Sequence, residues 1–168
     1  MLEKIFKSKK PSLAELLRDT GTTYTVHFPS RTFTALEVDD GVITFVDQAP
    51  SVGQTYSGAT GEIVIVTAVS PGSEEGAALI TTEPMSHSVS IHKAIAVGKT
   101  LDGRDRFRLS PTNWRHVPAQ KDELTFRLPA PYQPDRGELI YCGSSYFQII
   151  STTLQGPFCV CQTQEFPV

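Results

Sequence analysis

Three arginines at alternate positions form the clearest chemical pattern in the chain. Arg104, Arg106 and Arg108 are separated by Asp105 and Phe107. Because successive side chains of a strand point to opposite faces, this spacing predicts a strand with three guanidinium groups on one face. Guanidinium groups bind carboxylates and phosphates, so this face is a candidate binding surface. A solvated strand face is the alternative interpretation.

Three further residues complete the candidate interface. Trp114 and Arg115 follow the arginine row in a short segment between two prolines. Trp114 is either an anchor that packs this segment onto the β domain or a residue that contacts a partner. Tyr56 lies within residues 49–61, which lack apolar periodicity. This segment is predicted to be an exposed loop that is mobile unless a partner orders it.

Patterns typical of catalysis are weak. The chain has no GxSxG elbow, so Ser144 and Ser145 are interpreted as turn residues, and it has no nucleotide-binding glycine fingerprint. An enzyme would need a pocket assembled from dispersed residues, for which the candidates are His87, His92, His116 and Asp105. Of these, His87 and His92 are five positions apart and would point to opposite faces of one strand. We therefore expect no catalytic residue and a non-enzymatic protein.

Cysteine usage favours neither a metal site nor a disulfide framework. The three cysteines are Cys142, Cys159 and Cys161, an odd number without a CxxC motif. Cys159 and Cys161 would share a strand face, and free cysteine is commonly a small buried apolar residue. We expect no bound metal, no cofactor and synthesis in a reducing compartment.

Composition narrows the class of protein. A length of 168 residues suits one domain, and 39% hydrophobic with 20% charged residues is enough to form a core. A net charge of −3 argues against a general polyanion binder. No apolar run approaches the roughly 20 residues that span a bilayer, and the N-terminus does not resemble a secretory signal. A protein without membrane contact is expected.

Residues 1–21 are predicted to be an N-terminal arm followed by a short helix. Ser12 and Glu15 have the spacing of a capping box, and three leucines follow on one helical face over residues 13–19. Four lysines precede this helix and form either a solvated tail or an arm that docks on an acidic partner: Lys4, Lys7, Lys9 and Lys10.

From Thr22 onward, short Thr-rich and aromatic runs alternate with Gly, Pro and Asp turns. We predict nine to eleven strands in an all-β antiparallel barrel or sandwich with long loops, forming one domain over 22–168 with a possible insertion at 41–120. The run Glu62–Val69 is predicted to be buried on both faces. The core is expected to include Ile63, Ile65, Leu139, Phe147, Ile149 and Phe158.

The C-terminal pattern is the strongest structural prediction. Apolar runs within residues 137–163 flank the tight Cys142–Ser145 connection and a second Gly-containing turn, which predicts a three-stranded antiparallel meander. Arg136, Gly137 and Glu138 lead into this meander, and Tyr146 follows its first turn.

This arrangement resembles the small β-barrel head–tail joining (stopper-like) proteins of tailed bacteriophages. The resemblance rests on about 40 C-terminal residues, beginning at Leu124–Leu128, and on the short helix before the first strand. It implies a non-enzymatic virion protein, made in the host cytoplasm, that forms a homo-oligomeric ring at the neck.

The partners that the resemblance implies are the portal or adaptor and the tail terminator, with DNA passing nearby. Another virion β-protein, such as a capsid decoration or tail-terminator protein, is a related alternative. A β-barrel module that binds a ligand or nucleic acid through the arginine face is an alternative from a different class.

Overall fold

The computed structural model describes residues 11–167, which form one short helix and thirteen strands. The predicted all-β class with a short N-terminal helix is confirmed. The described residues group into two compact units, 11–83 and 84–167, whereas the sequence predicted one β domain over 22–168. Strands from the possible insertion at 41–120 belong to both units. Within the described residues, no helix has the length and apolar character that crossing a membrane requires.

Helix α1, Leu13–Thr20, begins where the sequence predicted. The Ser12 side chain accepts a hydrogen bond from the Glu15 N–H at 3.2 Å, which satisfies one of the free donors of the first turn. The helix ends at Gly21, whose N–H donates to the Leu17 carbonyl at 3.0 Å. The lysines of the predicted basic arm lie outside the described residues: Lys4, Lys7, Lys9 and Lys10.

The first unit contains a closed six-stranded barrel in the order β1-β2-β3-β6-β5-β4. The strands are β1 Thr22–His27, β2 Ser30–Val38, β3 Gly41–Phe45, β4 Thr55–Ser57, β5 Ile63–Pro71 and β6 Ala77–Pro84. Strands β1 and β4 close the barrel, with Val26 opposite Tyr56. Full closure leaves no unpaired sheet edge between these two strands.

Tyr56 belongs to the core of this barrel, so its assignment to an exposed interface loop was wrong. The segment 49–61 contains strand β4, and Tyr56 is only 3% exposed. Its ring lies 5.3 Å from those of Tyr24 and Phe33, measured between centroids. Closure of the barrel brings the three aromatic rings together. The local sequence pattern did not indicate this burial of Tyr56.

Strand β5 is buried over a shorter stretch than predicted. Ile65 and Val66 are fully buried, but Ile63 is half-buried and the strand is exposed from Ala68 onward. The expectation that both faces of Glu62–Val69 are buried was therefore wrong at both ends of the run. The predicted core position of Ile65 is confirmed, and that of Ile63 was wrong. The exposed end of the strand leads directly into the turn that precedes β6.

The second unit is a seven-stranded sheet in the order β11-β12-β13-β10-β9-β7-β8. The strands are β7 His87–Lys99, β8 Asp105–Pro111, β9 Val117–Asp122, β10 Thr125–Pro129, β11 Leu139–Cys142, β12 Ser145–Gln155 and β13 Phe158–Phe166. An additional pairing joins β11 to β7. The strands β7, β9, β10, β13, β12 and β11 thus form a closed ring of pairings, and β8 lies outside it.

The predicted C-terminal meander is confirmed, because β11, β12 and β13 are consecutive neighbours. Its two turns contain Gly143 and Gly156 with φ of 65° and 58°, which glycine adopts without steric cost. The predicted core residues Leu139, Phe147, Ile149 and Phe158 are all buried. Phe147 also packs against Phe126, with ring centroids 5.2 Å apart.

Strand β7 changes partner twice along its length. His87–Val89 pair with β9, Ser90–His92 pair with β11, and His92–Lys99 pair with β8. The first part therefore closes the ring of six strands, whereas the last part forms a separate hairpin with β8. This change of partner determines where the candidate functional residues lie.

Candidate functional site

The arginine row lies on the hairpin formed by the end of β7 and by β8, residues 93–110, here called the hairpin arm. Arg106 and Arg108 are two positions apart in β8, so their side chains share one face as predicted. Arg104 lies just before the strand, where its Nε is 2.9 Å from the Asp102 Oδ2. The row thus consists of two arginines within β8 and a third, Arg104, that forms an ion pair with Asp102 in the turn before the strand.

The hairpin arm exposes apolar side chains as well as charged ones. Phe107, on the opposite face from Arg106 and Arg108, is 45% exposed although its ring lies 5.5 Å from that of Phe166. Leu101 at the tip is fully exposed. The large exposed apolar side chains of the arm are Ile95, Val97, Leu101 and Phe107. Because Ile95 pairs with Arg108, exposed apolar side chains occur on both faces of the arm, and exposed apolar surface is typical of interaction sites.

The outer edge of the arm is open. In the part of the chain that the structure describes, β8 pairs with β7 alone. The other edge of such a strand presents backbone N–H and C=O groups that an additional strand can bind. The arm therefore offers backbone hydrogen-bonding groups beside its apolar and basic side chains.

Charge is distributed unevenly between the arm and the remainder of the chain. Residues 93–110 contain five Lys and Arg and two Asp, a net charge of +3, so the remainder carries −6 of the total of −3. Both aspartates form ion pairs within the arm, Asp102 with Arg104 and Asp105 with Lys99 at 3.4 Å. Across residues 11–167, no ion pair involves Arg106. The arm is thus a basic segment of an otherwise acidic chain.

Trp114 anchors the segment that follows the arm. It is half-buried, it packs against the core of the second unit, and its ring lies edge-on to Tyr132 at 6.1 Å. Its carbonyl accepts a hydrogen bond from the Ile91 N–H at 3.0 Å, and the Thr112 N–H donates to the Ile91 carbonyl at 3.0 Å. Of the two interpretations left open by the sequence, this geometry favours the loop anchor.

A second candidate site is an open cleft of about 610 Å³ in the second unit, here called the tyrosine cleft. Tyr141 of β11 and Tyr146 of β12 face each other across the meander hairpin, with ring centroids 4.8 Å apart. His92 of β7 lies edge-on to both rings, 6.1 Å from Tyr141 and 5.6 Å from Tyr146. The lining residues are Ser88, Val89, Ser90, His92, Pro111, Arg115, His116, Tyr141, Gly143 and Tyr146.

The tyrosine cleft is positively polarised. Partial burial and, to a smaller extent, the charge of Arg115 lower the pKa of His92, and its Nε2 lies 2.9 Å from the Ser90 Oγ. Among the described residues that line the cleft, none is Asp or Glu. A second hollow, of about 490 Å³, shares Tyr146 with the cleft and is lined also by Glu165. The cleft therefore favours a ligand that carries negative charge.

The dispersed histidines and Asp105 do not meet in one place. His92 and His116 both line the tyrosine cleft, whereas His87 does not. Asp105 pairs with Lys99, seven residues beyond His92 on β7, which corresponds to about 20 Å of strand. An enzyme was expected to need three of these four residues in one pocket. Within residues 11–167, only His92 and His116 line the same cleft.

The three cysteines are free thiols that differ in burial. Cys159 and Cys161 are buried in the core of the second unit, and Cys142 is half-buried. The neighbouring Cys159 and burial together raise the pKa of the Cys161 thiol. No group of three or more potential metal ligands occurs among residues 11–167.

The tyrosine cleft was missed because its walls come from three separate parts of the chain. Ser88–His92, Arg115–His116 and Tyr141–Tyr146 meet only after β7 pairs with β11. One local signal was available, since Tyr141 and Tyr146 flank the tight turn at Gly143 and therefore had to pair across the hairpin.

Comparison of this chain with protein-family models, with curated protein sequences and with solved structures finds no match.

Proposed function

We propose that this chain is a non-enzymatic structural subunit that assembles with copies of itself into a ring, in the manner of a bacteriophage head–tail connector. One observation carries the proposal: most side chains of the hairpin arm, on both of its faces, are exposed to solvent. No side chain of residues 93–110 is buried. Keeping so much apolar surface in water is unfavourable unless another molecule covers it.

Charge complementarity supports a second copy of the chain as the occupant. The arm carries +3 and the remainder of the same chain carries −6, so the arm of one subunit is attracted to the body of the next. Such an arm-to-body contact joins two different surfaces, and contacts of this type close into rings when the rotation between subunits allows it. The open edge of β8 adds backbone hydrogen bonds to the contact.

The place of the subunit in a virion rests on the C-terminal resemblance. Arg136-Gly137-Glu138 before the meander and Tyr146 after its first turn are the residues that carry it. In this proposal the ring lies between portal and tail, contacts the portal or adaptor and the tail terminator, and surrounds the DNA path. A body with a net negative charge suits that position because its overall charge repels the DNA backbone.

The experiment is a measurement of molecular mass by light scattering from about 1 μM to about 1 mM, followed by negative-stain imaging. We expect wild-type protein to form a defined multimer. The double variant Val97→Thr/Leu101→Ser should raise the dissociation constant about tenfold or more, because it removes exposed apolar groups of the arm. Leu154→Ser, which changes an exposed leucine outside the arm, is the matched control.

Charge reversal tests the complementarity separately. Arg106→Glu/Arg108→Glu should weaken the multimer, and the wild-type multimer should weaken with added salt. A wild-type protein that remains monomeric over the whole range would contradict self-assembly through the arm. Salt-dependent binding of nucleic acid that these two arginine changes abolish would instead favour the alternative of a binding module.

A further inference from the structure

The floor of the tyrosine cleft is the outer face of three paired strands. The register places Tyr141 opposite Ser90 on one side and opposite Tyr146 on the other. Ile140 and Ile91, which alternate with these residues, point into the core. The rings of Tyr141 and Tyr146, tilted by 42° to each other, and that of His92, edge-on to both, therefore form an aromatic floor. The strands that carry these rings are held by backbone pairing on both sides of β11.

A cationic loop forms one wall of the cleft. Arg115 and His116 follow Trp114, whose carbonyl is hydrogen bonded to Ile91, the residue that precedes His92. The Thr112 hydroxyl also donates to the Ile91 carbonyl at 2.8 Å. These bonds fix the loop backbone to β7. Arg115 lines the cleft and lies close enough to His92 for its charge to lower the pKa of that histidine.

The two features together specify a ligand class. Flat π faces bind a planar aromatic ring by stacking, and such stacking tolerates many ring systems. Arg115 contributes a planar set of charged donors, and the hydroxyls of Ser88 and Ser90 contribute neutral ones. Charged and neutral donors of this kind suit the oxygens of a phosphate, and a volume of about 610 Å³ lies within the usual range of small-molecule sites.

We propose that the tyrosine cleft binds an aromatic base that carries a phosphate, with the base against Tyr141 and Tyr146 and the phosphate at Arg115 and His116. This chemistry is shared by a free nucleoside monophosphate and by one nucleotide of a single strand. The site is separate from the hairpin arm and does not depend on the ring assembly.

The test is a titration of the ¹⁵N-labelled full chain followed by two-dimensional NMR, with uridine monophosphate, uridine and inorganic phosphate as separate probes. Uridine monophosphate should shift the backbone amides of Ser88, Ser90, Tyr141 and Tyr146. Uridine and phosphate alone should each bind at least about tenfold more weakly, because each engages half of the site. A single-stranded nucleic acid of ten nucleotides, titrated in parallel, distinguishes the two sources. Tighter binding than that of uridine monophosphate assigns the site to nucleic acid, and weaker binding assigns it to the free nucleotide.

Matched variants decide whether the cleft is responsible. Arg115→Gln and Tyr146→Leu should each weaken uridine monophosphate about tenfold, whereas Arg106→Gln, which changes an exposed arginine outside the cleft, should have no effect. The same spectra report whether each variant is folded. The proposal is overturned if the cleft amides do not shift up to roughly 10 mM ligand, or if Arg115→Gln and Arg106→Gln bind equally well.

Discussion

The ring of Tyr56 lies edge-on to the ring of Phe33, with centroids 5.3 Å apart and an angle of 87° between the planes. The two residues come from β4 and β2, which do not pair with each other in the barrel order. Both rings are buried, so their contact lies within the barrel core. This contact makes a three-residue strand an essential part of the first unit.

Replacing Tyr56 by alanine should strongly destabilise the first unit. Loss of a buried aromatic side chain leaves a cavity and removes two ring contacts, which corresponds to about 3–5 kcal/mol of unfolding free energy. Urea denaturation measures the change. Val46→Ala, at a 61% exposed position of the same unit, is the control and should change stability by about 0.5 kcal/mol or less. Equal effects of the two variants would contradict the buried position of Tyr56.

Tyr56 should also make the protein sensitive to alkali. Burial, with a smaller contribution from Tyr24, raises its pKa from 10.0 to about 12. The unfolded chain therefore loses this proton at a lower pH than the folded chain, and stability is full below pH 10 and falls as the pH rises towards 12. Tyr56→Phe should reduce this alkaline loss. In an absorbance titration of the wild-type protein, the tyrosine that Tyr56→Phe lacks should be among the last to ionise as the pH rises.

His27 should make the first unit sensitive to acid. Its ring nitrogens lie 3.2 Å from the Thr55 Oγ1 and 2.8 Å from the Ser57 Oγ, and burial lowers its pKa from 6.5. The unfolded chain takes up this proton first, so stability is full above pH 6.5 and falls as the pH drops through the folded pKa. His27→Gln should lose less stability than wild type between pH 7 and pH 5, as measured by urea denaturation.

The control for the acid prediction is His87→Gln, which changes an exposed histidine. Its stability should follow the wild-type pH dependence. Part of the acid loss should persist in His27→Gln, because burial and Arg115 also lower the pKa of His92. An unchanged slope in His27→Gln would show that this histidine is equally basic in the folded and unfolded chain.

Thiol labelling should distinguish the three cysteines. Only the half-buried Cys142 should react rapidly with a disulfide reagent in the folded protein, since Cys159 and Cys161 are 2% and 0% exposed. Reaction also requires the thiolate, and the hydrogen bond with Cys159, together with burial, raises the pKa of the Cys161 thiol. All three thiols should react in denaturant. Rapid labelling of folded Cys142→Ser would contradict this assignment.

Local signals predicted the features that depend on neighbours in sequence. Ser12 and Glu15 marked the start of α1, because an N-cap needs only residues within one turn. Gly143 and Gly156 marked the two meander turns, because positive φ is a requirement of the turn itself. The alternation of Arg106 and Arg108 likewise predicted a shared strand face.

Features that depend on distant pairing were not predictable in the same way. Tyr56 lies in a segment without periodicity, and its burial follows from contacts with Tyr24 and Phe33, more than 20 residues away. The tyrosine cleft similarly requires β7 to leave β11 at His92 and continue beside β8. A strand that changes partner along its length has no local sequence signature.

The partner change of β7 at His92 also bears on how this chain tolerates changes in length. Strand residues beyond His92 contribute to the hairpin arm but not to the closure of the ring of six strands. Residues could therefore be added to or removed from the arm, in matched pairs on β7 and β8, without altering the register that closes the ring. Reach and partner choice can thus vary independently of the folded body that carries the arm.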